Sequence, residues 1–556
     1  MYKYHKVFSF FFFLSLSCFY FGAGVLFHLN TAFLGNTNFD KFIYIWNIAW
    51  WPHALHHHLN PFFPAIVWAP TGINLAKVTS LPALALIGSP ITLLFGPIVT
   101  YNLMMLFSPA LAAWTAYLLA HAILKTARYA LITGYLYGYS CYMISHMLGH
   151  LNLVAPAFLL PLFPLLLLYW LDHKISFSKS IFFLTTLLTS LFLISSEIFV
   201  TCTFFGSLIF SIAIFLFTEK RSDLLQFTKI IFLSYLFTAL LISPYLYYFF
   251  TDHIMNKIGA GVTAASNDFL DLFIPDALFL LTQEACKGLT SLFTCNIFEW
   301  NTYLGLGLIT ILILYANQFW KFNSGKFLIL SVIILTLASF GPSLHIAGFK
   351  VLGFPWRFLF MLPILHLIAP ARIALLASLP IALCVGCWAQ KSSFSIKSRM
   401  LLVTLAILFL LPTFHQASRP TVFTTTNNPL FFSAGIYKKY LSSEDNLLIL
   451  PYFDKGAQLL WQEQSHFSFR MADGYLGDMP AAYQKDAVSL YLLKTKPDSA
   501  LNKKIFLAFL NNHHITKIII ADRTHLAWSS LLNQIDPSPQ KVGGVVLYRL
   551  QEGPRH

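Results

Sequence analysis

Charge is what this chain has least of. Only 10% of its 556 residues are charged, against 57% hydrophobic, so most side chains cannot be facing water. That excludes an ordinary soluble protein and points to a polytopic membrane protein. Acidic residues are scarcer than basic ones, 22 against 36, and the formal net charge is +14. In a soluble protein this balance would suggest nucleic acid, but no nucleic-acid motif is present. Most basic residues sit in short breaks between apolar runs, where they orient the chain by the positive-inside rule. Also missing are a Walker sequence, a GxGxxG opening a helix after a strand, and a GxSxG elbow, which argues against cytosolic nucleotide chemistry. Cysteine is sparse, seven in all. Cys18, Cys141, Cys202, Cys384 and Cys387 fall in apolar segments as small hydrophobes; the last two lie one helical turn apart and carry no metal reading. Cys286 and Cys295 share a polar loop, for which a disulfide and two free thiols are equal readings.

What is abundant is long apolar runs. MYKYHK precedes an apolar stretch from Val7 to Leu29 that is too long for a cleaved signal, so it reads as an uncleaved first span with the N-terminus cytoplasmic. Leu81 to Phe95 has only about fifteen residues and contains Pro90, whereas a spanning helix needs roughly 20. It reads as a re-entrant or surface-lying helix. With it excluded, the spans are 7–29, 98–122, 129–147, 154–171, 181–195, 199–217, 227–250, 303–319, 327–340, 373–389 and 401–414. The basic clusters at 125–128, 173–179, 220–221, 321–326 and 391–399 then all fall on the cytoplasmic side. This predicts eleven transmembrane helices over residues 1–414, with outer loops at 30–97, 251–300 and 341–372. No internal repeat is present. From residue 415 to 556 the texture changes to strand-like runs (447–450, 517–521, 545–550) with ordinary charge density. That stretch suits one soluble extracytoplasmic α/β or α+β domain, joined through the connector 416–429.

Within the first outer loop, FDKFIYIWNIAWWPHALHHHLNPF carries Asp40, the one acidic residue before Asp172. On a helix beginning near Asn38, Asp40, Tyr44, Asn47 and Trp51 share a face, and Pro52 is expected to disturb or end the helix. Phe42, Ile45 and Ala49 on the other side suit the membrane interface. Asp40 reads either as a functional acid or as a helix cap. His53, His56, His57 and His58 lack metal-ligand spacing and read as a solvated, interface-hugging turn, with His53 kept among the substrate-binding candidates. No ligand spacing indicates a divalent metal. Glu197, in SSEIF between two apolar runs, is a carboxylate at the outer edge of the membrane; it is either a functional acid or a polar turn residue. His146, His150 and Asn152 lie in an outer turn able to join the same cavity. Arg357 and Arg372 sit on the outer side, where topology does not call for them, and a guanidinium there suits a lipid phosphate. Headgroup anchoring is the alternative. Lys77 is a weaker candidate of the same kind.

The order of a first span, an outer loop with an early acid, a surface helix, many spans and an outer C-terminal domain resembles the GT-C glycosyltransferases. It also resembles a group of bacterial multispan proteins near that superfamily, through WAPTGINLAKVTSLP, FGPIVTYNL, YGYSCYMISHMLGHLNL, SSEIF and IAPARI as well as the Asp40 stretch. The resemblance implies transfer of a sugar from a polyprenyl-phosphate donor to a lipid-linked glycan or other envelope acceptor. The reaction would take place on the non-cytoplasmic face of a bacterial inner membrane, with Asp40 matching the first-loop acid. No paired Asp-Glu stands in that loop and no WWDYG-like motif is present, which disfavours the protein mannosyltransferase and oligosaccharyltransferase subclasses. Expected roles are Asp40 as base, Glu197 assisting, and Arg372 with Arg357 on the donor phosphate. Tyr44, Asn47, His53, Lys77, His146, His150 and Asn152 would line the substrate site. The competing class is a lipid-linked glycan transporter or a non-catalytic envelope assembly protein. Transporters tend to show repeats and midplane charges, and neither is visible here.

Overall fold

The computed structural model describes residues 4–35, 40–251, 265–354, 356–358, 368–413, 424–425, 428–493, 501–521 and 525–550. Among them, seven helices are long and apolar enough to cross a membrane: His5–Gly22, Pro97–Leu124, Leu151–Leu171, Phe177–Ile194, Ser196–Leu216, Thr218–Leu241 and Pro370–Lys391. The chain is therefore a multi-pass helical membrane protein. The other four expected spans are occupied by shorter helices. Residues 129–147 break into Ala127–Gly138 and Cys141–His146, and the other three are Gly305–Phe319, Asn323–Ser339 and Ile396–Phe409. The first span also differs from expectation. Its helix ends at Gly22, and 23–31 run as turns, because apolarity alone does not mark where a helix stops. The expected connector 416–429 falls largely outside the described residues, as do 252–264 and 359–367 of the two later outer loops.

The chain divides into two compact units, and the division departs from a simple cut at 415. One comprises 1–36, 102–242 and 257–424; the other comprises 37–101, 243–256 and 425–556, so the first outer loop belongs with the C-terminal residues.

In the first unit the helix Pro370–Lys391 is central: 83% of its apolar window is buried in protein, against 22% for Ser196–Leu216, whose side chains are left for lipid. Small residues permit close packing at the centre. A Cβ on Gly138 would stand 2.4 Å from the Ala113 side chain and 2.6 Å from its backbone nitrogen, so only glycine lets these helices approach. A second apolar cluster of Leu166, Leu184, Leu188, Phe227 and Ile230 ties together three of the membrane-length helices.

In the second unit a five-stranded mixed sheet has the order Arg470–Met471, Asn446–Leu450, Lys517–Ala521, Val545–Arg549, Gln540–Val542. The first three strands are parallel and the last two antiparallel. Asn446–Leu450 is buried at every position, as an apolar run covered on both faces requires. The first-loop segment 66–69 extends the edge of this sheet: Met471 N donates to Ile66 O (3.0 Å) and Ala69 N to Met471 O (2.9 Å).

The helix Asp40–His56 lies in the same unit, and it is not the surface helix expected. Phe42, Ile45, Trp46, Asn47 and Ile48 are all at most 7% exposed. It packs against the helix Pro82–Phe95 and against Gln458–Gln464. Of the two effects expected of Pro52, termination does not occur: the helix runs on to His56. The proline removes one hydrogen bond, while Trp50 packs on Phe467 and Trp51 on Phe62 on either side of it.

Candidate functional site

In the first unit the sequence brings three charged side chains together at helix starts. Ser195 caps the helix Ser196–Leu216, accepting a hydrogen bond from Ile198 N, which sets Glu197 in the first turn, where the helix dipole favours an anion. Pro370–Ile373 forms a single 3-10 turn leading into Ala374–Lys391 and carries Arg372. The third member, Glu299, comes from the loop before Gly305.

Arg372 lies between the two carboxylates. Its Nη1 donates to Glu197 Oε2 at 2.5 Å, its Nη2 to Glu299 Oε1 at 2.6 Å, and its Nε to Glu299 Oε1 and Oε2 at 3.0 and 3.3 Å. Glu299 thus takes the two-donor edge of the guanidinium, the strong geometry for this pair. Glu197 Oε1 also accepts Ala369 N at 3.2 Å. The side chains of Arg372, Glu197 and Glu299 are 23%, 20% and 9% exposed, so the group is partly open. Of the five N–H donors of the guanidinium, three are engaged by the described residues.

A polar chain continues inward from Glu299. Asn301 Nδ2 lies 3.4 Å from Glu299 Oε2 and 3.4 Å from His146 Nε2, and His146 Nδ1 lies 3.4 Å from His150 Nδ1. The segment holding Glu299 and Asn301 is clamped from several sides. Asn267 Oδ1 accepts Asn301 N at 3.2 Å, Ser145 Oγ donates to Trp300 O at 3.0 Å, and Asp271 Oδ2 accepts both Thr302 N (2.8 Å) and Thr302 Oγ1 (2.7 Å). Burial pushes the Asp271 carboxyl up to about 7.

Glu197, Arg372, His146 and His150 are therefore gathered in one network. Asn152 is half-buried on the short helix Leu151–Val154. Arg357 stands apart, exposed, with its guanidinium 4.9 Å from the Phe358 ring centre. Glu299, Asn301 and Asp271 were not among the expected residues. Glu299 stands between Phe298 and Trp300 in a loop of ordinary polarity, and nothing in its spacing marks it out.

The remaining candidates belong to the second unit. Asp40 is the first described residue of its helix and is half-buried. Lys41 beside it is 2% exposed; burial lowers its ammonium to about 8, against the opposing pull of Asp40. Tyr44 stacks on Tyr101, ring centres 6.5 Å apart. Asn47 is fully buried, with Nδ2 donating to Ile43 O and Thr79 O, so it holds the loop rather than facing outward. Lys77 is half-buried, its backbone N–H closing a turn on Asn74 O. His53 packs 4.6 Å from Phe467 and 4.2 Å from His57. Burial first, then the neighbouring histidines, hold its imidazole down to about 4. It is the least solvated of the four histidines, the other three being exposed. Among the described residues, no group of three or more His, Cys, Asp or Glu side chains is placed to hold a metal ion. Cys286 and Cys295 are not joined by a disulfide, and Cys295 Sγ lies 3.3 Å from Ser266 O.

No protein-family model matches the chain, and no curated protein matches it in sequence. Solved structures do match in fold. The oligosaccharyltransferase of Archaeoglobus fulgidus superposes with a TM-score of 0.57 at 12% identity, over 93% of this chain and 70% of that one. A structure of the same organism's AglB, in complex with an inhibitory peptide and a dolichol-phosphate, gives 0.55 at 12% identity over 99% and 74%. The mycobacterial arabinofuranosyltransferase AftD gives 0.57 at 12% identity, over 99% of this chain and 40% of its own. The fold is thus that of GT-C membrane glycosyltransferases, as the sequence resemblance implied.

Proposed function

We propose that this chain is a membrane glycosyltransferase that moves a sugar from a polyprenyl-phosphate donor to a lipid-linked glycan or other envelope acceptor, on the non-cytoplasmic face of a bacterial inner membrane. The observation that carries this reading is Arg372, held by Glu197 and Glu299 with two N–H donors unengaged among the described residues, in a chain with a GT-C fold. A guanidinium fixed by two carboxylates cannot swing away, and its free donors present one geometry to a phosphate oxygen. Arg372 holds the donor phosphate and offsets the charge gathering on it as the bond to the anomeric carbon breaks. Glu197, more exposed than Glu299, orients the acceptor.

The proton is assigned to Asp40. The acceptor hydroxyl attacks the anomeric carbon, its proton passes to the Asp40 carboxylate, and polyprenyl phosphate leaves with the bonding electrons. Tyr44 and Asn47 support that helix from within its unit, Tyr44 against Tyr101 and Asn47 through Thr79 O. The C-terminal sheet has a matching task, since Gln462 bonds Trp46 of the same helix; selection of the acceptor is assigned to that unit. His53, Lys77, His146, His150 and Asn152 are assigned to shaping the substrate surroundings, and Arg357, over Phe358, to lipid headgroups.

The experiment is transfer by the purified full chain in lipid nanodiscs, using radiolabelled sugar on a polyprenyl-phosphate carrier. Asp40→Asn and Arg372→Gln, at normal abundance in the membrane, are expected to lose transfer. Unchanged transfer in Asp40→Asn removes the base assignment.

A further inference from the structure

Outside the ion group, the first unit carries a short β-hairpin in which Ser343–Ile346 pairs antiparallel with Phe349–Gly353. It is held rigidly. Ala347 and Gly348 between the strands both take left-handed φ values, 50° and 80°, as a tight two-residue turn requires. A Cβ on Gly348 would stand 2.0 Å from Leu292 O, so only glycine fits there. Asp268, 1% exposed, accepts Ala347 N on one carboxylate oxygen at 3.1 Å and Gly348 N on the other at 2.8 Å. The open end of the hairpin is tied to the helix before it. Phe354 N donates to Pro342 O at 3.0 Å, Trp356 Nε1 donates to Gly341 O at 3.1 Å, and Gly341 N closes on Ala338 O in the last turn of Asn323–Ser339. Four strand residues reach only about 13 Å, so the hairpin stays close to the end of an apolar helix.

Its second strand is the opposite of Asn446–Leu450. Every position of Phe349–Gly353 is exposed, with Phe349, Val351 and Leu352 at 75%, 60% and 55%. The first strand bridges to Asp268 through His345, whereas among the described residues nothing pairs with the far edge of the second. In water, an open edge bearing apolar side chains is an aggregation hazard. Hydrocarbon does not suit it either, because the backbone N–H and C=O groups of that edge need partners. The layer that meets both demands is the headgroup region, wet at the backbone and apolar just beneath.

Charge selects the kind of surface. Residues 341–372 contain no Asp or Glu, whereas 251–300 contain six. Arg372 is taken by its two glutamates, which leaves Lys350 and Arg357 as the exposed cations of the stretch. Apolar side chains among cations, with no acid between them, complement an anionic lipid surface. A second copy of the chain on the same edge would instead bring like charges together.

We infer that the hairpin 343–353 seats in the headgroup layer of the membrane as a contact site for anionic phospholipid. Lys350 and Arg357 meet the headgroup phosphates, and Phe349, Val351 and Leu352 lie against the acyl boundary. This extends the role given to Arg357 to a built element of the fold, and it stands whatever reaction the chain performs.

The test is photo-cross-linking of the purified full chain in nanodiscs made of equal parts phosphatidylglycerol and phosphatidylcholine. Phe349→benzoylphenylalanine keeps an aromatic ring at the exposed site. Phe232→benzoylphenylalanine, at a position 69% exposed on the helix Arg221–Leu241, is the reference for acyl contact. Lipid adducts are expected from both, with the anionic lipid favoured by about threefold or more at position 349 and not at position 232. Adding Lys350→Gln and Arg357→Gln is expected to bring the ratio at position 349 to about one with Tm unchanged, since both side chains are exposed. Lipid adducts from position 232 but none from position 349 overturn the inference. So does a product at position 349 that mainly joins two copies of the chain, or a lipid ratio there that the two substitutions do not move.

Discussion

Replacing Arg372 by glutamine removes the one positive charge between Glu197 and Glu299 and leaves two carboxylates facing each other. The structure sets the size of the effect. Four N–H···O contacts of 2.5 to 3.3 Å are lost, and Glu299 is only 9% exposed, so water cannot fully replace the guanidinium. Breaking a buried pair by removing one partner costs about 3–5 kcal/mol. Glu197→Gln should cost far less, about 1 kcal/mol, because Arg372 keeps its paired bonds to Glu299 and one excess negative charge disappears. Glu299→Gln should fall between them. Thermal unfolding of the three variants in the same detergent gives the order directly; at about 2 °C per kcal/mol, Arg372→Gln should lose roughly 6–10 °C. A wild-type Tm in Arg372→Gln, or a larger loss in Glu197→Gln, would refute the three-residue ion group.

Asp271 gives a pH dependence of definite sign. Its carboxyl is raised from 3.8 to about 7 in the fold, so its contribution is fully present below about pH 4 and is lost as pH rises through 7. The upper bound is about 4 kcal/mol. In Asp271→Asn the pH dependence over that window should flatten in a denaturation series, and a difference from wild type that does not change with pH would contradict this. Gln462 accepts Trp46 Nε1 at 2.8 Å and donates to Ile66 O and Phe469 O at 3.0 and 3.1 Å. Gln462→Ala strands all three and should cost about 2–4 kcal/mol, read as faster amide exchange over 40–56; unchanged exchange there would count against the C-terminal residues as support for that helix. Asp40→Asn should fold normally and lose sugar transfer.

Much of the site was legible in the sequence, for a physical reason: a charge in an apolar chain is costly unless it has a task or a partner. That singled out Glu197 and Arg372, which prove to be each other's partners. Glu299 was missed because it lies in a loop of ordinary polarity, and only tertiary contact distinguishes it from Glu284, which is an exposed member of a surface pair with Lys287. The apolar runs located the membrane helices, but hydropathy is the same whether the neighbour is lipid or protein. It therefore could not show that Pro370–Lys391 is central or that most of Asp40–His56 is buried. The strands at 446–450, 517–521 and 545–549 carried their own β-branched and leucine-rich signal. The joining of residues 66–69 to the edge strand Arg470–Met471 depends on backbone hydrogen bonds across about 400 residues, which leave no local trace.

The central claim is that a new glycosidic bond is made. It is tested most directly by supplying the purified chain in nanodiscs with polyprenyl-phosphate-linked radiolabelled sugar and candidate envelope acceptors, then separating the products. Label is expected covalently joined to an acceptor, with polyprenyl phosphate released, and no such product from Asp40→Asn or Arg372→Gln. If the chain, reconstituted in sealed vesicles, instead moves a lipid-linked glycan between leaflets while the label stays on its carrier, it is a transporter, and the glycosyltransferase reading is wrong.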